Sequence, residues 1–465
     1  MRLSSIELQK ATRGHWHKGM PESIIGISTD TRKFIEGYAF LALRGPNFDG
    51  HRFAEQIVSK AHALIGDEQG ITLWDHLPTP QLQVVDTLTA LGDIAHAWRN
   101  RLSQTTVIAI TGSYGKTTVR SMLSHIFNAL DICTAATHAN LNNLIGVPTT
   151  LLGIDETTEV ALIECGISEP GEMRRLSQIV QPDVAVITGI SAAHSSGLGG
   201  IEGVAREKRE LISHLLPQGW CVFGSNVSQQ LKGQDIPHTA IDMDATNDDV
   251  VQWKLEGQCL QLFTAREKAT LTLSLPAKHW AANMALSATI VLKYFREKTS
   301  RQAQQQTTQM MPNLQKIADT LSSWKAVDGR MATVIGANGI TILDDSYNAN
   351  PASMQAALDT LAQLTGHKTA IIGDMAELEH SAQAHAGLEV SNIDRLILIG
   401  HEIQALKTNH PEALWFKTTD RALEWIQTNL NNFGENDTVL IKASRSMHLD
   451  RIVRAMVSQE GIHAL

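Results

Sequence analysis

Apolar and polar positions change their rhythm three times along this chain. Up to about residue 95, short apolar runs such as Tyr38–Leu43 and Ala63–Ile65 stand between loops rich in Gly, Asp and Asn, the pattern of a small mixed α/β unit. Ser4 and Glu7 have the spacing of a capping box, so a helix is expected to start there. A new rhythm begins near Leu102. Thr106–Ile110 (TVIAI) reads as a buried strand, and a glycine-containing loop follows it. Val119, Met122, Leu123, Ile126, Phe127 and Leu130 then recur at intervals of three and four, which predicts a helix from about Lys116 with one apolar face. Val160–Cys165 and Val184–Ile190 read as two further strands, each followed by loop and helix, the signature of a largely parallel sheet with crossover helices.

The polar stretch Glu297–Thr308 breaks the helical pattern after Phe295 and reads as an exposed extension or linker with no chemistry of its own. From about Val327 the strand-then-helix alternation returns. Strands are expected at Ile340–Leu343, Lys368–Ile372, Arg395–Ile399 and Thr438–Lys442, with helices starting near Ala352, Ser381 and Thr419. No short repeat of solenoid type is visible. The expected division is three domains, at residues 1–95, 96–326 and 327–465, in an α/β protein.

Bulk properties narrow the partners. A chain of 465 residues has room for two or three buried cores, and 43% apolar with 19% charged residues is ordinary for a soluble protein. A net charge of −9 offers no global field for nucleic acid, so an anionic ligand needs a local site. Cys133, Cys165, Cys221 and Cys259 lack CxxC spacing, which argues against a disulfide framework and a zinc site. The N-terminal MRLSSIELQK has no signal-peptide core and no apolar run is long enough to span a bilayer. A reduced, cytoplasmic protein without membrane insertion is expected.

The loop Thr111-Gly112-Ser113-Tyr114-Gly115-Lys116-Thr117-Thr118 lies between an expected strand and an expected helix, the context that gives such a loop meaning. Gly112 and Gly115 let the backbone curl so that its N–H groups face phosphate oxygens at the positive end of a helix. Lys116 would meet the β and γ phosphates of ATP, and the Thr117 hydroxyl would ligate Mg²⁺. The spacing and context outweigh the plain alternative, a strand–helix turn with a chance lysine. Ligands of open α/β sheets collect beyond the carboxyl ends of the strands. Glu164 ends one such strand and His194 follows another, so both are candidates to complete a Mg²⁺ site. Taken alone, Glu164 equally suits a solvated strand end, and His194 reads better as an ordinary loop histidine.

Lys208 lies in a helix expected from about Gly203 to Leu216, on the stripe formed by Val204, Leu211, Ile212 and Leu215. An inward lysine must find a counter-charge, lose its proton or be chemically changed. Periodicity alone prefers a lysine that snorkels at the rim of the core. Further on, Gly329-Arg330 precedes the run Asp344-Asp345-Ser346-Tyr347-Asn348-Ala349-Asn350-Pro351, a helix N-terminal turn, a binding face, or both.

TGSYGKTT, HANLNNLIGVPTTLL, IECGISEPGE, AAH at 192–194, AREKRELI, DGR, LDDSYNANPASM, IIGDMAELE and KASRSM occur here in the order seen in the Mur ligases. The N-terminal STDTRK…GYAFLALRGPNFDGHRF also resembles that family's UDP-sugar-binding segment, so the resemblance spans nearly the whole chain. DDSYNANP discriminates most, because sister ligases differ there. The resemblance implies an N-terminal UDP-sugar-binding domain, a central P-loop ATPase domain and a C-terminal Rossmann-like domain. It also implies a reaction: ATP phosphorylates the terminal carboxylate of UDP-N-acetylmuramoyl-tripeptide, and D-alanyl-D-alanine attacks the acyl phosphate to form an amide.

The same resemblance assigns residues. Gly112, Ser113, Gly115, Lys116, Thr117, Thr118, His279, Asn283, Arg330 and Asp345 fall on the nucleotide side, Asp345 at the ribose. Thr117 and Glu164 would bind one Mg²⁺ and His194 would help bind a second, while Lys208 matches the family's carbamylated lysine, an anion able to support the metal. Asn142, Asn143, Asn348 and Asn350 fall on the substrate side. Ser28, Thr29, Arg32, Gly45, Asn47, Asp49 and His51 match the uridine-nucleotide end. Departures from the family pattern fall at Tyr114, at His138-Ala139, at Ser195-Ser196 and at Trp280, whose ring could pack on a base. The nearest rival readings are a sister Mur ligase, a folylpolyglutamate synthase, or a nucleotide-binding scaffold that has lost catalysis. The resemblance leaves open whether the tripeptide ends in meso-diaminopimelate or lysine. A monomer is expected.

Overall fold

Ser4 opens the first helix, Ser5–Thr12: its hydroxyl accepts from the Glu7 N–H, and the Glu7 carboxylate accepts from the Ser4 N–H at 2.8 Å. A cap of this kind is worth about 1 kcal/mol and fixes where the helix begins. The computed structural model describes the chain except residues 193–194, 238, 247, 303–310 and 458–465, and residues 301–302 by backbone alone. The described chain divides into two units, each assembled from separated segments. The first holds Met1–Thr111, Asp131–Ala185 and Arg209–Trp220, and the second holds Gly112–Leu130, Val186–Lys208 and Cys221–Leu465.

In the first unit the short apolar runs become a five-stranded sheet, ordered His15–His17, Gln81–Gln83, Ala63–Gly66, Ala39–Leu41, Ile27–Ser28. Its first pair is antiparallel and the others are parallel. Phe40, Leu64, Trp74 and Leu77 pack on one face of it. A second group of strands runs parallel, Thr134–Ala136 beside Val160–Glu164 beside Thr106–Thr111. Val160–Glu164 and Thr106–Thr111 are almost entirely buried, as unbroken apolar runs in a parallel sheet require, while the edge strand Thr134–Ala136 is half-buried.

In the second unit the helix Lys116–Ala129 buries Val119, Met122, Leu123, Ile126 and Phe127, as its periodicity predicts, while Leu130 falls on the C-cap and is half-buried. Gln252–Glu256, Cys259–Phe263 and Lys268–Thr272 form a three-stranded antiparallel sheet. The long helix Lys278–Gln302 follows. The last third of the chain forms a six-stranded sheet, ordered Ala332–Ile335, Thr341–Asp344, Asp437–Lys442, His367–Gly373, Arg395–Ile399, Leu414–Phe416. Only its first pair is antiparallel. Ile342, Ile371, Ile397 and Ile441 centre its core. The helix Pro351–Ala362 starts on a proline and is capped by Asn350, whose Oδ1 accepts from the Ser353 N–H at 2.9 Å.

Several expectations need correction. The helix after Phe295 does not stop: it continues through Glu297 to Gln302, because Glu, Lys, Arg and Gln are good helix formers and Lys293 pairs with Glu297 one turn on. The remainder of the expected linker lies outside the described residues. The helix carrying Lys208 spans Gly200–Arg209 and tightens into a 3₁₀ turn at Glu210–Ile212, leaving Leu215 half-buried beyond its end. The strands expected to reach Cys165 and Ile190 end at Glu164 and Ile187. Among the described residues no helix is long and apolar enough to cross a membrane.

Candidate active site

The phosphate loop is shaped by backbone that only glycine adopts at low cost. Gly115 has φ +80° and serves as N-cap of the helix Lys116–Ala129, so the first N–H groups of that helix face out of the loop without a side chain across them. Gly112, at φ +150°, leaves no room for a Cβ against the Thr188 hydroxyl. The loop is tied down at Ser113. Its N–H donates to the Gly189 carbonyl at 2.8 Å, its Oγ donates to the Ser191 carbonyl and accepts from the Ser191 N–H, and its carbonyl accepts from Asn350 Nδ2 at 3.0 Å. The Lys116 ammonium donates to the Gly112 carbonyl at 2.7 Å.

A cavity of about 490 Å³ opens on this loop, a size suited to a nucleotide. Ser113, Gly115, Lys116, Thr117 and Thr118 border it together with His279, Asn283, Arg330, Asp345, Asn348 and Asn350. Residues more than two hundred positions apart in sequence thus meet around one space. His279 is half-buried at the cavity wall and its Nδ1 has no hydrogen-bond partner among the described residues; desolvation, with the Lys442 charge nearby, pushes its pKa down to about 4, so the ring is neutral. Trp280 is 4% exposed and meets Trp324 edge-on at 5.3 Å, so most of its ring packs in protein rather than lying open to a base. Arg330 lies 4.1 Å from the centre of the Tyr347 ring, and Arg445 approaches the same ring at 5.5 Å.

Lys442 was not anticipated. It ends an apolar strand, is 2% exposed, and donates to Asp345 Oδ2 at 2.6 Å and to the Asn348 carbonyl at 3.0 Å. The lysine belongs to the KASRSM run, but its partner lies 97 positions away, so no local spacing reveals the pair. Lys208 is buried at 2% exposure. Burial and the charge of Lys116 push its pKa well below the usual lysine range, with Glu207 opposing them. The snorkelling alternative therefore fails: the side chain is enclosed.

In the first unit Glu164 is 2% exposed, its Oε1 accepts from Asn142 Nδ2 at 3.0 Å, and its N–H donates to the Thr137 hydroxyl. Asn143 caps the turn before Gly146, its Oδ1 accepting from the N–H groups of Ile145 and Gly146. Near the N-terminus Asp30 grips exposed Arg32 through paired hydrogen bonds, which hold the Asp30 pKa down at about 2. Ser28 Oγ donates to the Asp30 carbonyl, and Thr29 stands half-buried between them. Arg44 bridges Asp49 and Asp67, framing a hairpin tip that exposes Gly45 and Asn47. His51 is buried with both ring nitrogens occupied, Nδ1 by Asp49 at 2.6 Å and Nε2 by the Asp67 N–H. It supports that hairpin from beneath. His194 lies outside the described residues. Among the described residues no three His, Cys, Asp or Glu side chains cluster to hold a metal.

The Mur ligase middle-domain family matches residues 110–291, and the Mur ligase glutamate ligase domain family matches residues 329–445. The UDP-N-acetylmuramoyl-tripeptide–D-alanyl-D-alanine ligase of Escherichia coli (strain K12) is 31% identical over 456 residues, covering 94% of this chain and 95% of its own. The chain belongs to the Mur ligase family. Relatives of this Mur ligase include the enzyme of the same name from Bacillus subtilis (strain 168), 32% identical with 93% of each chain covered. A crystal structure of MurF from Acinetobacter baumannii superposes with a TM-score of 0.84 at 30% identity, covering 98% of this chain and 99% of that one. The expected α/β Mur architecture is therefore the observed one.

Proposed function

We propose that this Mur ligase uses ATP to join D-alanyl-D-alanine to UDP-N-acetylmuramoyl-tripeptide, a cytoplasmic step in making the peptidoglycan precursor. The observation that carries this reading is the cavity itself: the phosphate loop forms one wall and the DDSYNANP run forms another, tied together by Asn350 and Ser113. The relatives named for that reaction match over nearly the whole chain. We assign residues 1–95 to the UDP-sugar end, 96–326 to the ATPase and 327–465 to the ligase domain. We infer a monomer.

A carboxylate is a poor electrophile. Its oxygen attacks the γ-phosphorus of ATP, the bond to the β-phosphate oxygen breaks, and ADP leaves behind an acyl phosphate. The amino group of D-alanyl-D-alanine then adds to the carbonyl carbon. The tetrahedral intermediate expels phosphate and the nitrogen loses a proton, leaving the amide. Lys116 and the loop N–H groups hold the β and γ phosphates against charge repulsion. Asp345 receives the ribose, with His279 and Asn283 at the base. Asn142, Asn143, Asn348 and Asn350 are assigned to the substrates. The N-terminal loops of Ser28, Thr29, Arg32, Gly45, Asn47 and Asp49, braced by His51, hold the uridine nucleotide.

Mg²⁺ suits the oxygen-rich donor set, since it favours one or two carboxylates together with phosphates and water over an all-protein cage. Thr117 and Glu164 would bind one Mg²⁺ and His194 would help bind a second, with carbamylated Lys208 in support, and the metal would neutralise phosphate charge. Enclosed Lys208, its pKa held well below the usual lysine range, fits carbamylation: once deprotonated, the amine adds to carbon dioxide, and loss of a further proton from nitrogen leaves an N-carboxylate.

The test is ADP release by purified protein. It should require both UDP-N-acetylmuramoyl-tripeptide and D-alanyl-D-alanine, and Lys116→Ala should abolish amide formation. Varying the third residue of the tripeptide between meso-diaminopimelate and lysine defines the acceptor. Turnover with folate and glutamate instead would overturn the assignment. A wild type that binds ATP but never forms the amide would be a scaffold.

A further inference from the structure

Tyr114 is the one bulky side chain in the phosphate loop, and the family pattern gives it no role. It sits between the two loop glycines with its ring half-buried at the cavity edge. Its carbonyl accepts from the Thr188 hydroxyl, so its backbone is anchored. Its ring lies over Gly189. A Cβ built on Gly189 would fall 2.5 Å from Tyr114 Cε2, 2.6 Å from its hydroxyl oxygen and closer still to Cζ. The backbone of Gly189 is not in the left-handed region, so any residue could adopt it. The ring, rather than the main chain, is what keeps position 189 a glycine.

Beyond the ring stands Asn226, in the turn after the strand that ends at Phe223. Its backbone N–H is fixed by Asp244 Oδ2 at 2.7 Å, and its Nδ2 reaches the Tyr114 hydroxyl at 3.5 Å. That bond is at the long limit and contributes little, so packing over Gly189 is the stronger hold. A loop with glycines on both sides of Ser113-Tyr114 samples many backbone shapes when unrestrained. Each must be given up when phosphate binds, and a ring seated in a fitted slot removes that cost in advance.

We propose that Tyr114 is a positioning residue for the phosphate loop: its ring, wedged over Gly189 and turned toward Asn226, holds the loop in its phosphate-receiving shape before ATP arrives. The proposal rests on the reading of this cavity as the ATP site. It predicts compensation between two positions. Tyr114→Ala frees the loop, and Gly189→Ala pushes the ring out of its slot. Each should raise the KM for ATP about tenfold, equivalent to about 1.4 kcal/mol. The KM for D-alanyl-D-alanine should stay unchanged and kcat should move far less than the KM for ATP. In the double variant the added methyl occupies space the ring has left, so the effects should not multiply. Tyr114→Phe keeps the ring and should stay within about twofold of wild type.

The measurement is steady-state kinetics on the full-length protein, with ADP affinity by calorimetry and the thermal midpoint of each variant as a folding check. A wild-type KM for ATP in Tyr114→Ala would overturn the proposal, as would a double variant whose defect is the product of the two single ones. If Tyr114→Ala does not fold, Gly189→Ala decides: an unchanged KM for ATP refutes the wedge. Absence of ATP-dependent amide formation in the wild type would sink the functional assignment instead. Normal wild-type turnover with indifferent variants would sink the Tyr114 proposal alone.

Discussion

Replacing Lys442 with methionine removes one charge of an enclosed pair and leaves the other behind. The Lys442 side chain is 2% exposed and that of Asp345 14%, with 2.6 Å between Nζ and Oδ2. Methionine is close to lysine in length, so little cavity is created and the change is mainly electrostatic. Breaking a buried pair from one side costs about 3–5 kcal/mol, most of it the desolvation of the abandoned charge. Water reaches part of Asp345, which places the expected loss near about 3 kcal/mol. A second effect follows from where Asp345 points. Lys442 also donates to the Asn348 carbonyl, so it ties the carboxylate to the backbone of the DDSYNANP turn that borders the cavity. Losing that tie should raise the KM for ATP about tenfold. Equilibrium urea unfolding and initial rates at varied ATP read the two effects separately. The double variant Lys442→Met with Asp345→Asn removes both charges; it should recover most of the stability but not the ATP affinity. A Lys442→Met protein within about 1 kcal/mol of wild type, with an unchanged KM for ATP, would refute the reasoning, because a buried pair broken on one side cannot be that cheap.

Lys208→Ala should cut turnover about a hundredfold, and acetate or formate should restore part of it by supplying the missing carboxylate; full activity without rescue would leave the lysine a structural role only. His279 carries a pH dependence. Its folded pKa is about 4 against an ordinary 6.5, so as pH falls through that window the unfolded chain takes up a proton that the folded chain refuses. The contribution of His279 to stability is intact above the ordinary value and is lost on acidification, at roughly 1 kcal/mol per pH unit. Thermal midpoints of wild type and His279→Gln between pH 7 and 5 should therefore converge, and a constant gap would contradict a ring held neutral by desolvation.

Legibility in the sequence followed how local each cause is. Unbroken apolar runs located the parallel strands to within a few residues, and Arg395–Ile399 falls where its run predicts. Pro351 marked a helix start, and the capping pair of Asn350 and Ser353 that completes it lies within the same four residues. The antiparallel sheet from Gln252 to Thr272 went unread: its outward positions are exposed and mixed in type, so the alternation is diluted. The helix end at Gln302 was misplaced because loss of an apolar stripe was taken for loss of helix, whereas polar straight-chain residues sustain a helix without one. At the site, the loop was visible because strand, glycines and helix are contiguous. The partnerships of Asn350 with Ser113, Lys442 with Asp345 and Tyr114 with Gly189 were not, because each joins distant segments of chain.

Lys208 shows where periodicity stops and burial must decide. A snorkelling lysine and an enclosed one occupy the same stripe of a helix, so their spacing is identical and only depth separates them. Depth then constrains charge. The Lys116 charge reaches Lys208 inside the same unit and lowers its pKa. Two ammonium groups in that arrangement repel, and the enclosed one has the weaker claim on its proton because no water solvates it. Losing that proton leaves a basic, nucleophilic, uncharged amine, the form that adds to carbon dioxide. On the functional reading proposed above, that addition replaces a cation that would repel Lys116 and Mg²⁺ with an anion that attracts both. On that same reading, the burial that makes an unmodified lysine costly here would favour the modification: a solvated lysine at the same stripe position would stay largely protonated and react far less.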